Sequence, residues 1–210
     1  RVRKSIVSIS ITLHRSGTSR TQQVDTTTTG LDLFGSDRAV VAMRVDGNLV
    51  DLQRELHDGA EVEPVEATSE DGLNIIRHSA THVMAQAVQQ LYPEVNLGIG
   101  PFITDGFYYD FGNIEPVTPE VLSELEKRMK RIVKENQRFV RRVTTEESAR
   151  EELADQPYKL ELIGTKGKGA EGASVEVGGG ELTIYDNVRR NGEVAWKDLC
   201  RGPHVPSTKY

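Results

Sequence analysis

Cysteine occurs once in these 210 residues, at Cys200, so no disulfide can form within the chain. That suits a reducing compartment such as the cytosol. No apolar run approaches the roughly 20 residues that a bilayer-spanning helix needs. The opening stretch, Arg1 to Leu13, alternates polar and apolar residues and holds no continuous apolar block, so it does not read as a signal peptide. Internal repeats are absent. An excess of positive charge is lacking too: the net charge of −6 argues against a surface that binds nucleic acid throughout. The first residue is Arg1, so the sequence reads as part of a longer protein.

A charged fraction of 28% beside a hydrophobic fraction of 37% is that of a globular protein with a usable core. The length suits a small domain followed by a medium one. One strip runs against the overall charge: Lys127, Arg128, Lys130, Arg131, Lys134, Arg138, Arg141 and Arg142, opposed only by Glu135. It reads either as a solvated helix face or as a strip facing phosphates.

Residues 1–66 read as a β-rich unit. Period-two alternation marks a strand over Ser8 to Leu13, and Ser16-Gly17-Thr18 a turn. Val40 to Val45 and Leu49 to Leu52 flank a hairpin signal at Asp46-Gly47-Asn48. Glu61 to Val65 suits an edge strand that tolerates Pro64. The run Thr26 to Thr29 is uninformative. After a polar linker, spacings of three and four among Leu73, Ile76, Ala80, Val83, Met84, Ala87, Val88 and Leu91 predict a helix over 72–91, stopped by Pro93. Gly98-Ile99-Gly100-Pro101 reads as a tight loop, and Gly106 to Phe111 as a strand. Thr118 and Pro119 open a helix to Asn136. A strand over Phe139 to Val143 is followed by a short helix capped by Thr144 and Glu147 that ends before Pro157. Gly164 to Gly172 reads as a loop, and Glu181 to Asp186 as a strand.

Chemistry concentrates in two short motifs. His78 and His82 stand four apart on the long helix and project from one side. With Ile76 at zero, the apolar stripe centres near ~45°, whereas the histidines fall near ~200° and ~240°, with Ala85, Gln86 and Gln89 on their side. They are therefore expected to line a cleft or face solvent. Cys200 and His204 are also four apart, but Gly202 and Pro203 between them forbid a regular helix. Three imidazoles and a thiol can ligate zinc tetrahedrally or position a water for attack. His14 and His57 have no such neighbours and read as surface residues. Nothing marks the Cys200 thiol as unusually acidic, so a nucleophilic role is not expected of it.

His78-Ser79-Ala80-Thr81-His82, Gly98-Ile99-Gly100-Pro101, Gly106-Phe107-Tyr108-Tyr109-Asp110 and Cys200-Arg201-Gly202-Pro203-His204, in that order and spacing, resemble the editing domain of bacterial threonyl-tRNA synthetases. Leu125 to Met129 and Pro157 to Leu160 are further stretches of that kind. The resemblance covers residues 66–210. The N-terminal unit is similar, through Val45 to Asp51 and its layout, to the small β-grasp module called TGS. The fold implied is α+β: a TGS-like β-grasp domain over 1–66, then over 67–210 a larger editing domain whose histidine-bearing helix packs on an antiparallel sheet.

The function implied is proofreading by hydrolysis of mischarged seryl-tRNA(Thr). Serine is threonine less one methyl, and excluding the smaller side chain from a pocket built for the larger is worth only about 1–3 kcal/mol, so a second site must remove the error. Carried over from the family, His78 and Lys159 hold or activate the water and stabilise the oxyanion. His82, Cys200 and His204 shape the pocket and orient the ester. Tyr109 and Asp198 contact the amino acid. Read without the resemblance, a core aromatic remains an alternative for Tyr109 and a surface lysine for Lys159. A related editing family, for alanyl-tRNA, resembles this His/His/Cys/His set and uses zinc there, whereas threonyl editing sites are described as working without a metal. The expectation is no metal. His78, His82, Cys200 and His204 are the ligands if the chain is instead a zinc-dependent free-standing deacylase, and a non-catalytic tRNA-binding module is the other alternative. ATP, magnesium and zinc would belong to an aminoacylation domain following Tyr210, which nothing in these residues resembles. The partner implied is the tRNA(Thr) 3′ end carrying serine, with no membrane partner, in the cytoplasm. The parent enzyme is expected to be a homodimer through regions outside this sequence.

Overall fold

The computed structural model describes residues 7–165, 177 and 180–210. It is mixed α and β, with five helices among the described residues. The chain divides into two compact units, one built mainly on Arg1–Ile76 and the other mainly on Arg77–Gly202. No helix among the described residues is long and apolar enough to cross a membrane.

The first unit is a five-stranded mixed sheet in the order β2-β1-β5-β3-β4. Its elements are β1 (Ser8–Arg15), β2 (Thr18–Asp25), the short α1 (Gly30–Phe34), β3 (Val40–Val45), β4 (Asn48–Val50) and β5 (Glu61–Glu66). β1 and β5 run parallel, and the other neighbours antiparallel. Ile9, Ile11, Phe34, Val40, Met43, Leu52 and Val62 form its core. Two elements here escape pattern reading. β2 is polar along its length, as an exposed edge strand can be, so it shows no alternation. The uninformative threonine run ends in a helix start, because the Thr29 N–H donates to the Asp32 carboxylate at 2.8 Å, as in a capping box.

The second unit holds most of α2 (Glu70–Leu91), whose residues to Ile76 belong to the first unit, then β6 (Asn96–Leu97), β7 (Phe102–Ile103), β8 (Gly106–Phe107) and β9 (Phe111–Gly112). These four short strands make two small ribbons, β6-β9 and β7-β8, where a single strand over Gly106 to Phe111 was expected. α3 (Pro119–Glu135) starts at Thr118, whose hydroxyl accepts from Val121 N–H, and ends on Asn136 in the left-handed region. β10 (Arg138–Val143), β11 (Thr183–Val188) and β12 (Val194–Leu199) form an antiparallel sheet with β11 in the middle. α4 (Glu146–Glu152) is capped by Thr145, one residue later than the sequence suggests. α5 (Pro157–Thr165) was not expected at all. Pro157 reads as a helix stop, but proline is equally suited to the first turn, where its missing N–H costs nothing. The loop expected over Gly164 to Gly172 lies, from 166 on, outside the described residues.

The expectation for α2 needs correcting. Of the two alternatives for His78 and His82, facing solvent does not hold: they are 2% and 1% exposed. Leu73, placed in the apolar stripe, is 41% exposed, while Ile75, Ser79, Val83 and Gln86 are buried with the histidines. The helix turns its polar side inward because the sheet offers polar partners there. Asn187 of β11 donates to the Gln86 side-chain amide oxygen at 2.8 Å, and Trp196 of β12 donates to the Gln89 side-chain amide oxygen at 2.7 Å. An amphipathic moment counts hydrophobicity alone and misses a polar face satisfied by hydrogen bonds.

Arg142 ties the elements of this unit together. Its guanidinium makes a two-pronged pair with Glu152 of α4 at 2.8 and 2.6 Å, and reaches Asp186 of β11 at 2.7 Å. Lys197 of β12 adds a 3.0 Å contact to Glu152. Arg142, and then Lys197, hold the Glu152 carboxyl down from its ordinary 4.5 to about 2. A folded-state pKa below the unfolded one stabilises the fold above about 4.5, and that share is lost as pH falls through about 2. Replacing Arg142 with methionine is expected to cost about 1–3 kcal/mol at neutral pH and to flatten the acid limb of the stability curve between pH 4.5 and 2. Urea unfolding of both proteins across that range is the measurement. An unchanged acid limb would show that the pair does not set it.

Candidate functional site

Four elements of the second unit supply the site. α2 contributes His78 and His82 one turn apart, with ring centroids 5.6 Å apart and planes nearly perpendicular. The ring of His82 sits between Trp196 of β12 at 5.3 Å and Phe139 of β10 at 6.3 Å. The fourth element is α5, with Lys159, and β12 also carries Asp198 near its end, with Cys200 just beyond it. β12 was missed in the sequence, although Trp196 and Asp198 stand two apart and so share one strand face.

Cys200 is placed by its backbone. Its N–H donates to the Thr183 carbonyl at 3.2 Å, and its own carbonyl accepts from the Thr183 hydroxyl at 2.5 Å. Its sulfur lies 3.3 Å from His78 Nε2 and accepts from the Gly202 N–H at 3.2 Å. Gly202 holds φ at +73°, and a Cβ there would stand 2.0 Å from the Tyr185 hydroxyl, so the turn demands glycine twice over. One ligand atom from each of His78, His82, Cys200 and His204 lies within 4.8 Å of the others, and all four residues are buried. Three imidazoles and a thiol at that separation fit a tetrahedral zinc, with the 3.3 Å sulfur–nitrogen edge already at the right scale.

Beside this cluster stands a buried ion pair. Lys159 Nζ lies 3.0 Å from Asp198 Oδ1 and 3.2 Å from Oδ2, and both side chains are wholly shielded from solvent. The Tyr109 hydroxyl donates to Asp198 Oδ2 at 2.6 Å, and the Leu199 N–H donates to Oδ1 at 2.8 Å. Tyr109 is thus both a core aromatic, stacked on Phe111 at 4.9 Å, and a hydrogen-bond donor. Gly100 leaves room for its ring, since a Cβ there would fall 2.4 Å from it. The surface reading of Lys159 does not hold.

Electrostatics separate the roles available to these groups. Burial, then the charges of His78 and Lys159, pushes His82 well below the ordinary 6.5, so His82 is a neutral imidazole near pH 7. Burial lifts the Asp198 carboxyl above its ordinary value, opposed by Lys159 and by the Tyr109 hydroxyl. The arrangement offers a small polar molecule three imidazoles, that of His82 neutral, with a thiol and one ammonium in a dry setting. In such a setting each interaction is stronger than in water.

The structure brings all seven expected residues into two adjoining groups, His78–His82–Cys200–His204 and Tyr109–Lys159–Asp198. It keeps His14 and His57 away, each paired with a carboxylate, Glu61 and Asp46, on the first unit's surface. Sequence reasoning missed Trp196, Phe139 and Gly100, which shape the site without carrying chemistry.

No family model matches the chain. Among curated proteins it is similar to the threonine–tRNA ligase of Streptomyces avermitilis, 59% identical over 204 residues that make up 96% of this chain and 31% of that protein. The enzyme of the same name from a Nocardioides species is 56% identical over 210 residues, with the same coverage. That from Bifidobacterium longum is 52% identical over 203 residues, 96% of this chain and 29% of the relative. The chain spans about a third of the length of the relatives it matches.

The Lys159–Asp198 pair yields a stability test independent of function. Asp198→Asn strands a buried ammonium and is expected to cost about 3–5 kcal/mol, whereas Lys159→Met with Asp198→Leu restores most of that stability. Denaturant midpoints decide it. A single variant as stable as the parent would mean that the two side chains are not paired in a dry interior.

Proposed function

Since the chain belongs to the bacterial threonine–tRNA ligase family, we propose that it is the part of such an enzyme that hydrolyses mischarged seryl-tRNA(Thr). On this reading residues 1–66 are a TGS-like β-grasp domain and residues 67–210 the editing domain. The proposed setting is the cytoplasm and the partner the seryl-tRNA 3′ end. One observation carries the proposal: four buried donors, His78, His82, Cys200 and His204, with His82 held neutral, adjoin a buried lysine–aspartate pair.

The chemistry asked of the site is attack by water on an ester. His78 accepts the water's proton as the oxygen adds to the carbonyl carbon, and returns it to the departing ribose oxygen, releasing serine and the tRNA hydroxyl. Lys159 supplies positive charge to the developing oxyanion, held for that purpose by Asp198. His82, neutral, offers a hydrogen bond without competing for the proton, and Cys200 and His204 close the pocket around the ester. Tyr109 and Asp198 address the serine hydroxyl or amine. Threonine's extra methyl is rejected by the walls, so bulk and not binding strength makes the distinction.

A second reading rests on the four-donor cluster. His78, His82, Cys200 and His204 would hold a zinc ion in a free-standing type of deacylase, where the metal would supply Lewis acidity. A chain that binds tRNA without hydrolysing it is the remaining alternative.

Incubating the chain with seryl-tRNA and threonyl-tRNA, with and without a chelator, separates these. Release of serine but not threonine, undiminished by the chelator, is the expected result. Loss with the chelator and recovery on adding zinc would shift the four donors to metal binding, and no release at all would sink the hydrolase. His78→Ala is expected to slow release by about a hundredfold or more while leaving the fold intact, whereas His14→Ala changes nothing.

A further inference from the structure

Half of the basic strip is neutralised within the fold, and half is not. Arg128 pairs with Glu124, Lys130 with Glu126, Arg141 with Glu181, and Arg142 with Glu152 and Asp186. Lys127, Arg131, Lys134 and Arg138 are exposed, and none has an acidic partner among the described residues. At about 100° per residue, Lys127, Arg131 and Lys134 fall within about 60° of one another on α3. They lie on the far side of the helix from the buried Leu125 and Ile132. From Lys127 to Lys134 is about 10 Å of helix axis.

This arrangement works against the helix. Like charges three and four residues apart repel, and Lys127 with Arg131, Lys130 with Lys134, and Arg131 with Lys134 all stand so. A solvated face needs no such concentration, least of all in a chain of net charge −6. No large apolar side chain interrupts the row, since the exposed Leu122 and Val133 fall on another sector of α3. Protein interfaces deplete lysine and build on apolar anchors at their centre, so a bare row of cations does not suit one. It suits a polyanion. A duplex presents a phosphate charge about every 1.7 Å of axis, so about 10 Å of helix meets roughly six of them. The row also leads toward the site: Arg138 points to solvent at the start of β10, and the next residue, Phe139, packs on the His82 ring.

We propose that Lys127, Arg131, Lys134 and Arg138 form a docking strip for the phosphate backbone of the RNA whose aminoacylated end enters the site. The inference rests on the hydrolase reading for the identity of that RNA. The strip neutralises phosphates without reading sequence, and so sets affinity and salt dependence and leaves the chemical step alone.

The test uses the whole chain, a fluorescently labelled uncharged tRNA transcript, and a triple variant, K127Q/R131Q/K134Q, beside a charge-matched control, R15Q/R20Q/R38Q, whose three cations are exposed and belong to the first unit. The triple variant is expected to bind about tenfold or more weakly near 0.1 M salt. The slope of log affinity against log salt should fall by about 2–3, or roughly 0.7–0.9 for each phosphate no longer neutralised. The control should stay within about twofold of the parent. With seryl-tRNA, KM should rise and kcat hold. Parent-like affinity and slope in the triple variant, or an equal weakening in the control, would overturn the strip. Because binding is read on uncharged tRNA, a parent chain that leaves seryl-tRNA intact would refute the hydrolase reading without deciding the strip.

Discussion

A charge pair sealed from water governs the second unit. Lys159 and Asp198 have no solvent to share their charge with, so each depends on the other and on the donors around the carboxylate, Tyr109 and the Leu199 N–H. Such a pair adds little net stability over an apolar one, because desolvation consumes most of the attraction. What it adds is position. The beginning of α5, the end of β12 and the loop carrying Tyr109 must meet at one point for the pair to form, and Cys200 follows Asp198 by two residues. The pair therefore sets where the sulfur sits relative to His78.

The same logic explains why the long helix buries its polar side. His78, His82, Gln86 and Gln89 recur at spacings of three and four and meet a sheet whose facing residues include Asn187 and Trp196. A dry interior makes His82 hard to protonate, which leaves a neutral imidazole near neutral pH. It also makes the lysine's charge count for more. Function and packing here draw on one set of contacts, so stability measurements and activity measurements need to be made on the same variants.

Much of the site was legible before the fold. Two motifs of four-residue spacing named four of its members, and a family resemblance named Tyr109, Lys159 and Asp198. The helix start at Thr118-Pro119 and the hairpin turns were readable because caps and turns are local chemistry. Other elements were hidden for physical reasons. β2 is polar because it is an edge, β12 carries lysine and aspartate because one points out and the other into the site, and α5 begins at a proline that pattern reading takes as an end. The burial of the histidines was misjudged because periodicity weighs apolar residues and is blind to polar partners supplied by distant strands.

Sequence by itself determined the local facts: which residues can turn, cap and ligate, that one thiol precludes a disulfide, and that His78 and His82 share a helix side. Tertiary structure alone decided that this side is the inner one, that Lys159 meets Asp198, and that the thiol stands beside His78. The reason is range. Caps and turns are settled within a few residues, whereas the pairing of a buried lysine and the contact of the thiol with His78 depend on groups 39 and 122 positions away in the chain, brought near only by folding.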